Sequence, residues 1–165
     1  MDSTTSTTAL AIETGERLRA RGWLLATAES CTGGMIGAAI TDIAGSSAWF
    51  DRGFITYSNE AKIELLGVPT GLIAAAGAVS EAVARAMAEG AIAHSHANAS
   101  VSVTGIAGPG GAQPGKPVGM ICFAWAFQDR PAVAETRIFD GNRAAIRAAT
   151  VCHALLGLVD RLRGP

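Results

Sequence analysis

A hydroxyl and a thiol stand side by side at Ser30 and Cys31, and two glycines follow at Gly33 and Gly34. The apolar run Trp23-Leu24-Leu25-Ala26-Thr27-Ala28 precedes them, and an apolar helical pattern from Met35 to Ala44 comes after. That order reads as a strand that ends at Ser-Cys, turns through the glycines and becomes a helix. Such a turn brings a nucleophile together with the unpaired N–H groups of a helix start, which attract an anion. Two chemistries fit: covalent attack by Ser30 or Cys31, or the holding of a negative group. Ser30 or Thr32 could equally do no more than cap the helix. The glycine pair favours a site, because neither residue carries a Cβ to block close approach to the backbone. The amides of Thr32, Gly33 and Gly34 would then hold an oxyanion or a phosphate. Cys31 competes as nucleophile, since a thiol at a helix N-terminus has a depressed pKa.

A serine also needs a base, and the three histidines are poorly placed to supply one. His94 and His96, two apart on a predicted helix, point to different faces. His153 lies among Ala and Leu, and the Gly-x-Ser-x-Gly elbow of a Ser-His-Asp hydrolase is absent. Lys62 is the better candidate. In Tyr57-Ser58-Asn59-Glu60-Ala61-Lys62, Asn59 is the predicted cap of a short helix running to Leu66. Lys62 then falls in the first turn, where the helix dipole disfavours a cation by about 0.3–1 kcal/mol. It is either a surface lysine or one held neutral, able to take a serine proton while Tyr57 relays or orients it.

The third constellation is Ser102-Val103-Thr104-Gly105-Ile106-Ala107-Gly108-Pro109-Gly110-Gly111. No Gly-Lys-Ser/Thr closes it as in a Walker A loop, and it opens no helix as a dinucleotide fingerprint does. It could be a surface loop without a ligand. Two glycine-rich loops leaving strand ends instead favour a shared crevice in an open α/β sheet. Arg143, at the start of the last predicted helix, is either solvated or completes a phosphate site with its fork of donors.

Several elements must position these groups. Helices are predicted over 9–21, 35–44, 59–66, 71–76, 80–95 and from Asn142 onward, with a short helical turn at 45–50. Strands are predicted over 23–29, 53–58, 99–104, 118–127 (the longest) and 133–139, the last two forming a hairpin across Gln128-Asp129-Arg130-Pro131. The last helix is expected to dock through Ala148, Cys152, Leu155, Val159 and Leu162, with Arg143 and Arg147 projecting elsewhere. Helices flank strands throughout, which predicts a single three-layer α/β/α domain with a mixed, mostly parallel sheet. Residues 1–8 are expected to be a flexible start and residues 9–165 the domain.

Composition narrows the classes. The 165 residues are 49% hydrophobic and 16% charged, which suits one core-rich domain burying roughly two-thirds of its unfolded surface. A net charge of −1 gives no basic stripe for nucleic acid. No apolar segment is clean enough to span a bilayer. Cys31, Cys122 and Cys152 form neither a zinc pattern nor a disulfide framework. A reducing cytoplasm is the expected compartment, and Ala-rich helices suit a packed homo-oligomer.

Four segments occur in order: Thr27-Ala28-Glu29-Ser30-Cys31-Thr32-Gly33-Gly34, Gly53 to Lys62, Gly77-Ala78-Val79-Ser80, and Thr104 to Gly111. Together they resemble the C-terminal domain of the competence-damage-inducible CinA proteins, a family of nicotinamide-nucleotide amidases, over nearly the whole chain. The resemblance implies a three-layer fold without metal or organic cofactor. It implies hydrolysis of nicotinamide mononucleotide to nicotinate mononucleotide and ammonia, a step of pyridine-nucleotide salvage. The family's serine nucleophile and its assisting tyrosine and lysine map onto Ser30, Tyr57 and Lys62. Many relatives carry a further domain with pyrophosphatase activity; no segment here matches it, and that activity is not carried over. The backbone N–H groups of Thr32, Gly33 and Gly34 are then expected to hold the oxyanion. The nucleotide phosphate is assigned to Thr104, Gly105, Gly108 and Arg143, with Ser46 and Ser47 lining the pocket. Two alternatives stay open: a catalytically silent nucleotide-binding module with the same crevice, and an amidase for another carboxamide.

Overall fold

A computed structural model describes residues 5–164. Helix α1 (Thr7–Arg21) opens where Ser6 Oγ accepts the Ala9 N–H, and closes at Gly22 in the left-handed conformation. It starts two residues before the expected position because Ser6 supplies the cap; Met1 to Thr4 of the expected flexible start lie outside the described residues. The chain continues through β1 (Leu25–Glu29), α2 (Met35–Thr41), a 3₁₀ turn (Ser46–Ala48), β2 (Phe50–Ile55), α3 (Asn59–Leu66), α4 (Thr70–Ala76) and α5 (Glu81–Ala93). It ends with β3 (Ala99–Gly105), β4 (Met120–Phe127), β5 (Arg130–Ile138) and α6 (Arg143–Arg161).

The sheet order is β2-β1-β3-β4-β5. β1 pairs in parallel with both β2 and β3, whereas β4 is antiparallel to its neighbours. Four strands therefore point one way, and the carboxyl ends of β1, β2 and β3 open on a common side. Helices cover both faces, as the sequence predicts. Leu25, Val101, Val103, Phe123 and Trp125 pack towards α1, α2 and α6 on one face. Ala26 and Ala28 face the other layer, with Leu66, Val83 and Met87. β1 is buried at every position, as a central strand covered on both faces must be.

Several boundaries move. β2 begins at Phe50, not Gly53, because Trp49 C=O already accepts the Leu25 N–H and Phe50 pairs with Leu25. Tyr57 and Ser58 consequently lie beyond the strand. Ser58, not Asn59, caps α3, accepting the Ala61 N–H. α2 stops at Thr41, three residues short, and β5 is longer than β4. The docking face of α6 is rotated: Ile146, Val151, Ala154, Leu158 and Val159 are buried with Leu155, while Ala148 is exposed and Cys152 half-buried. Trp125 fixes that rotation. Its Nε1 donates to Ala154 C=O, and its ring occupies the place a Cβ on Gly157 would take, so the smallest residues of α6 must meet it.

Candidate active site

The period-two alternation of β1 decides which neighbour each of its last residues meets. Glu29 turns towards α2 and Ser30 towards α3. The Glu29 carboxylate, 2% exposed, accepts the Ile36 N–H at 2.8 Å, the Gly37 N–H at 3.0 Å and the Thr32 hydroxyl at 2.6 Å. α2 has no side-chain cap from Gly34, its own cap position, so Glu29 does that work from the strand end. The expected anion site at this helix start is therefore filled by a residue of the chain itself. Three donors, two of them buried, share this one acceptor group, and Glu29→Ala is expected to lower unfolding free energy by about 1–3 kcal/mol in urea titration. Glu29→Gln, which keeps one carbonyl oxygen, should lose less.

Beyond β2, the Thr56 N–H still joins the ladder by donating to Glu29 C=O at 2.8 Å, and then the chain leaves the sheet. Residues 56–58 present their carbonyls inward. Lys62, at 1% exposure, reaches back to them from the end of the first turn of α3. Its Nζ lies 2.7 Å from Thr56 O, 3.1 Å from Tyr57 O, 3.5 Å from Ser58 O and 3.1 Å from Ser30 Oγ. No carboxylate pairs with Lys62 among the described residues. Burial pushes its pKa below the ordinary 10.5, because desolvation disfavours the ammonium. As an ammonium, Nζ donates to Ser30 Oγ as well as to the carbonyls; were it neutral, it would donate to two carbonyls and have a lone pair left for the Ser30 hydroxyl.

Cys31 points elsewhere. It is buried in the α1–α2–α6 layer, and burial raises its thiol pKa to about 12, with the Glu29 charge adding to the rise. The depressed pKa expected for a thiol at a helix start is overturned: desolvation outweighs the helix end, and the thiol stays protonated. Tyr57 also differs from expectation. It is 64% exposed and its hydroxyl makes no hydrogen bond among the described residues, whereas its backbone carbonyl receives Lys62. The ring lines the cleft from its exposed side.

The Ser30 turn is tightly wired. The Ser30 N–H donates to Val103 C=O, the Gly33 N–H to Ser30 C=O and the Met35 N–H to Thr32 C=O. Among the described residues, the N–H groups of Cys31, Thr32 and Gly34 make no hydrogen bond to another residue's backbone. Gly33 is thereby removed from the expected donors. Its contribution is conformational, since Gly33 and Gly34 adopt φ of 59° and 106°.

A cleft of about 260 Å³ opens over Ser30, Tyr57, Lys62, Thr104, Gly105 and Arg143, with Asn59 and the Ala78–Val79 segment on its wall. It lies outside the carboxyl ends of the parallel strands, where open α/β sheets bind ligands. Thr104 is buried, and its hydroxyl donates to Ala78 C=O at 2.9 Å, which fixes that wall. A Cβ on Gly105 would run into Ile121 and lie 2.7 Å from Met120 O, so only glycine fits. Gly108 does not line the cleft; its carbonyl accepts Arg143 Nη1 at 2.9 Å and so aims that side chain. Ser46 is absent from the cleft. Its 3₁₀ turn leads to Trp49, which joins the start of β1 at Leu25, the opposite end of the strand from Ser30, so neither Ser46 nor Ser47 lines the pocket expected of them.

Two residues that the sequence did not single out belong here: Glu29 and Arg147. Arg147, one turn beyond Arg143, donates from Nε to Cys31 O at 3.0 Å and from Nη2 to Thr32 O at 3.2 Å. The four-residue spacing of the two arginines placed them on one helix face; nothing local indicated which loop that face would meet. The histidines stay outside: His94 bonds Gly90 C=O, and His153 pairs with Glu135. No cluster of metal-binding side chains occurs among the described residues, and none of their helices is long and apolar enough to cross a membrane.

Residues 7–162 match the model of the CinA C-terminal domain. The chain is 51% identical over 146 residues to a nicotinamide-nucleotide amidohydrolase PncC of Enterobacter agglomerans, covering 88% of this chain and 89% of that protein. The Escherichia coli K12 protein of the same name is 49% identical, covering 88% of each. A putative competence-damage inducible protein of Symbiobacterium thermophilum is 54% identical, but this chain spans only 35% of its length. Among solved structures, the competence/damage inducible protein CihA of Agrobacterium tumefaciens superposes with a TM-score of 0.91 at 45% identity, over 96% of both chains.

Proposed function

The chain belongs to the CinA C-terminal domain family, and from that premise we propose that it hydrolyses the carboxamide of nicotinamide mononucleotide, giving nicotinate mononucleotide and ammonia. The observation that carries the chemistry is the buried Lys62 amine 3.1 Å from Ser30 Oγ, with no carboxylate paired to it among the described residues. A binding module needs no such base.

In this mechanism Lys62 removes the Ser30 proton as Oγ attacks the carboxamide carbon. The negative oxygen that forms is received by the free N–H groups of Cys31 and Thr32. Lys62 then returns the proton to the leaving nitrogen, the C–N bond breaks and ammonia departs. Water attacks the resulting Ser30 ester with Lys62 again as base, and nicotinate mononucleotide leaves as Ser30 regains its proton. Tyr57 covers the ring of the substrate. Arg143, aimed by Gly108, takes the phosphate, with Asn59 and Gly105 lining the passage between them.

Ammonia release from nicotinamide mononucleotide by the wild-type protein tests this reading. Nucleotide binding without ammonia would leave the silent module, and turnover of a different carboxamide alone would replace the substrate. Arg143→Ala is expected to raise KM about tenfold or more with kcat nearly unchanged, since a remote phosphate contact is made equally in ground and transition states. An unchanged KM would remove the phosphate assignment.

A further inference from the structure

Among the described residues Arg147 makes no hydrogen bond to the Ser30 or Lys62 side chains, yet its guanidinium grips two successive carbonyls of the loop that follows the nucleophile. A planar fork bound to two acceptors fixes their directions more strictly than any single bond. The peptide from Cys31 to Thr32 is trans, so its N–H points opposite to its C=O. With the Cys31 carbonyl drawn to α6, the Thr32 N–H is turned away from α6, towards the layer in which Ser30 meets Lys62. The second bond fixes the next peptide, whose Gly33 N–H donates to Ser30 C=O. That bond in turn sets the plane from Ser30 to Cys31, whose Cys31 N–H has no backbone partner among the described residues. One arginine thus orders three consecutive peptide planes. A cation on a carbonyl also polarises the peptide and strengthens the opposite N–H as a donor.

We infer that Arg147 is the positioning residue of the oxyanion hole, holding the Cys31 and Thr32 N–H groups towards the oxygen that becomes negative when Ser30 is acylated. This rests on the serine-hydrolase reading of the site, though not on the identity of its substrate. Arg143 and Arg147 therefore divide the labour of one helix face: the first meets the ligand, the second organises the catalytic loop from behind.

The test compares wild type, Arg147→Ala and Arg147→Lys in two assays: kinetics with nicotinamide mononucleotide, and the rate of Ser30 phosphonylation by a fluorophosphonate, read by intact mass. Phosphonylation needs the nucleophile and the oxyanion hole but no nucleotide. Arg147→Ala is expected to lose about 10²–10³-fold in kcat and in labelling rate, the effect of an oxyanion donor, with KM within about threefold. Added guanidinium ion at millimolar concentration should recover part of the loss. Arg147→Lys, which can satisfy one carbonyl but not both, should fall between; it carries the test if the alanine variant does not fold. Rates within about threefold of wild type in both variants would overturn the assignment. So would a fall in kcat matched by a rise in KM and unmoved by guanidinium, which marks a merely structural arginine. A wild-type protein that is phosphonylated at Ser30 but releases no ammonia from the nucleotide would sink the substrate reading and leave Arg147 judged by labelling alone. A wild-type protein that does neither would overturn both.

Discussion

Ser30→Ala is expected to abolish turnover of nicotinamide mononucleotide while the fold and the affinity for the nucleotide persist. Removing the attacking oxygen takes away the covalent route, and the rest of the machinery then has nothing to act on. In serine hydrolases whose nucleophile and base work as a unit, loss of either lowers kcat by about 10⁶-fold. A fall of that order is expected here, read as ammonia release against a binding isotherm for the nucleotide. Stability should change little, because Ser30 Oγ contributes few bonds besides those to Lys62 and, at 3.5 Å, Tyr57 O. Cys31→Ala provides the contrast. Its thiol is buried and held protonated near pKa 12, so that variant should retain turnover close to wild type. Activity in Ser30→Ala that disappears in Cys31→Ala would move the nucleophile by one residue.

Lys62→Met is the second large effect, and its size should match the first. Methionine fills the space of the lysine stem but has no lone pair basic enough to take the Ser30 proton. Lys62→Arg should fail as well, since a guanidinium stays protonated at any working pH. Combined with Ser30→Ala, neither change should lower the residual rate much further, because the two groups act as one unit. The pH profile adds a sign. Only the neutral amine is a base, so kcat/KM must rise with pH through the Lys62 pKa, and burial sets that midpoint below 10.5. The same shift makes the unfolded chain bind a proton that the folded one has released. Stability attributable to Lys62 therefore rises as pH climbs from the folded value to 10.5 and is flat above it.

Much of this site was legible before the fold was known, but unevenly. Ser30 and Lys62 were marked by local conflict: a nucleophile before paired glycines, and a cation where a helix start disfavours one. Residue type and position carry that kind of information. What joins them is not local, since their separation of 32 positions is closed only when β1 and β2 pair in register and Ser58 starts α3. Glu29 was hidden because a capping residue is sought beside the helix, and here it reaches in from the strand. Arg147 was hidden because its meaning lies in a loop 116 residues away in sequence. Tyr57 and Cys31 are hard to place from sequence for a third reason. Their side-chain types suggest chemistry, while burial and exposure, which the sequence does not state, set their surroundings: the Cys31 thiol is buried and the Tyr57 residue is exposed. Ser46 failed most simply, lying at the wrong end of the sheet.

Everything in the mechanism depends on a buried lysine being neutral when it meets Ser30. The chain has only two lysines, Lys62 and Lys116, so protein labelled with ¹⁵N-lysine should give two Nζ signals, assigned by Lys116→Arg. NMR titration of the Lys62 signal is the most direct measurement. The account predicts a pKa below 10.5 that coincides with the acid limb of kcat/KM. A Lys62 that titrates at or above 10.5, remaining an ammonium at every pH where the enzyme works, would contradict it.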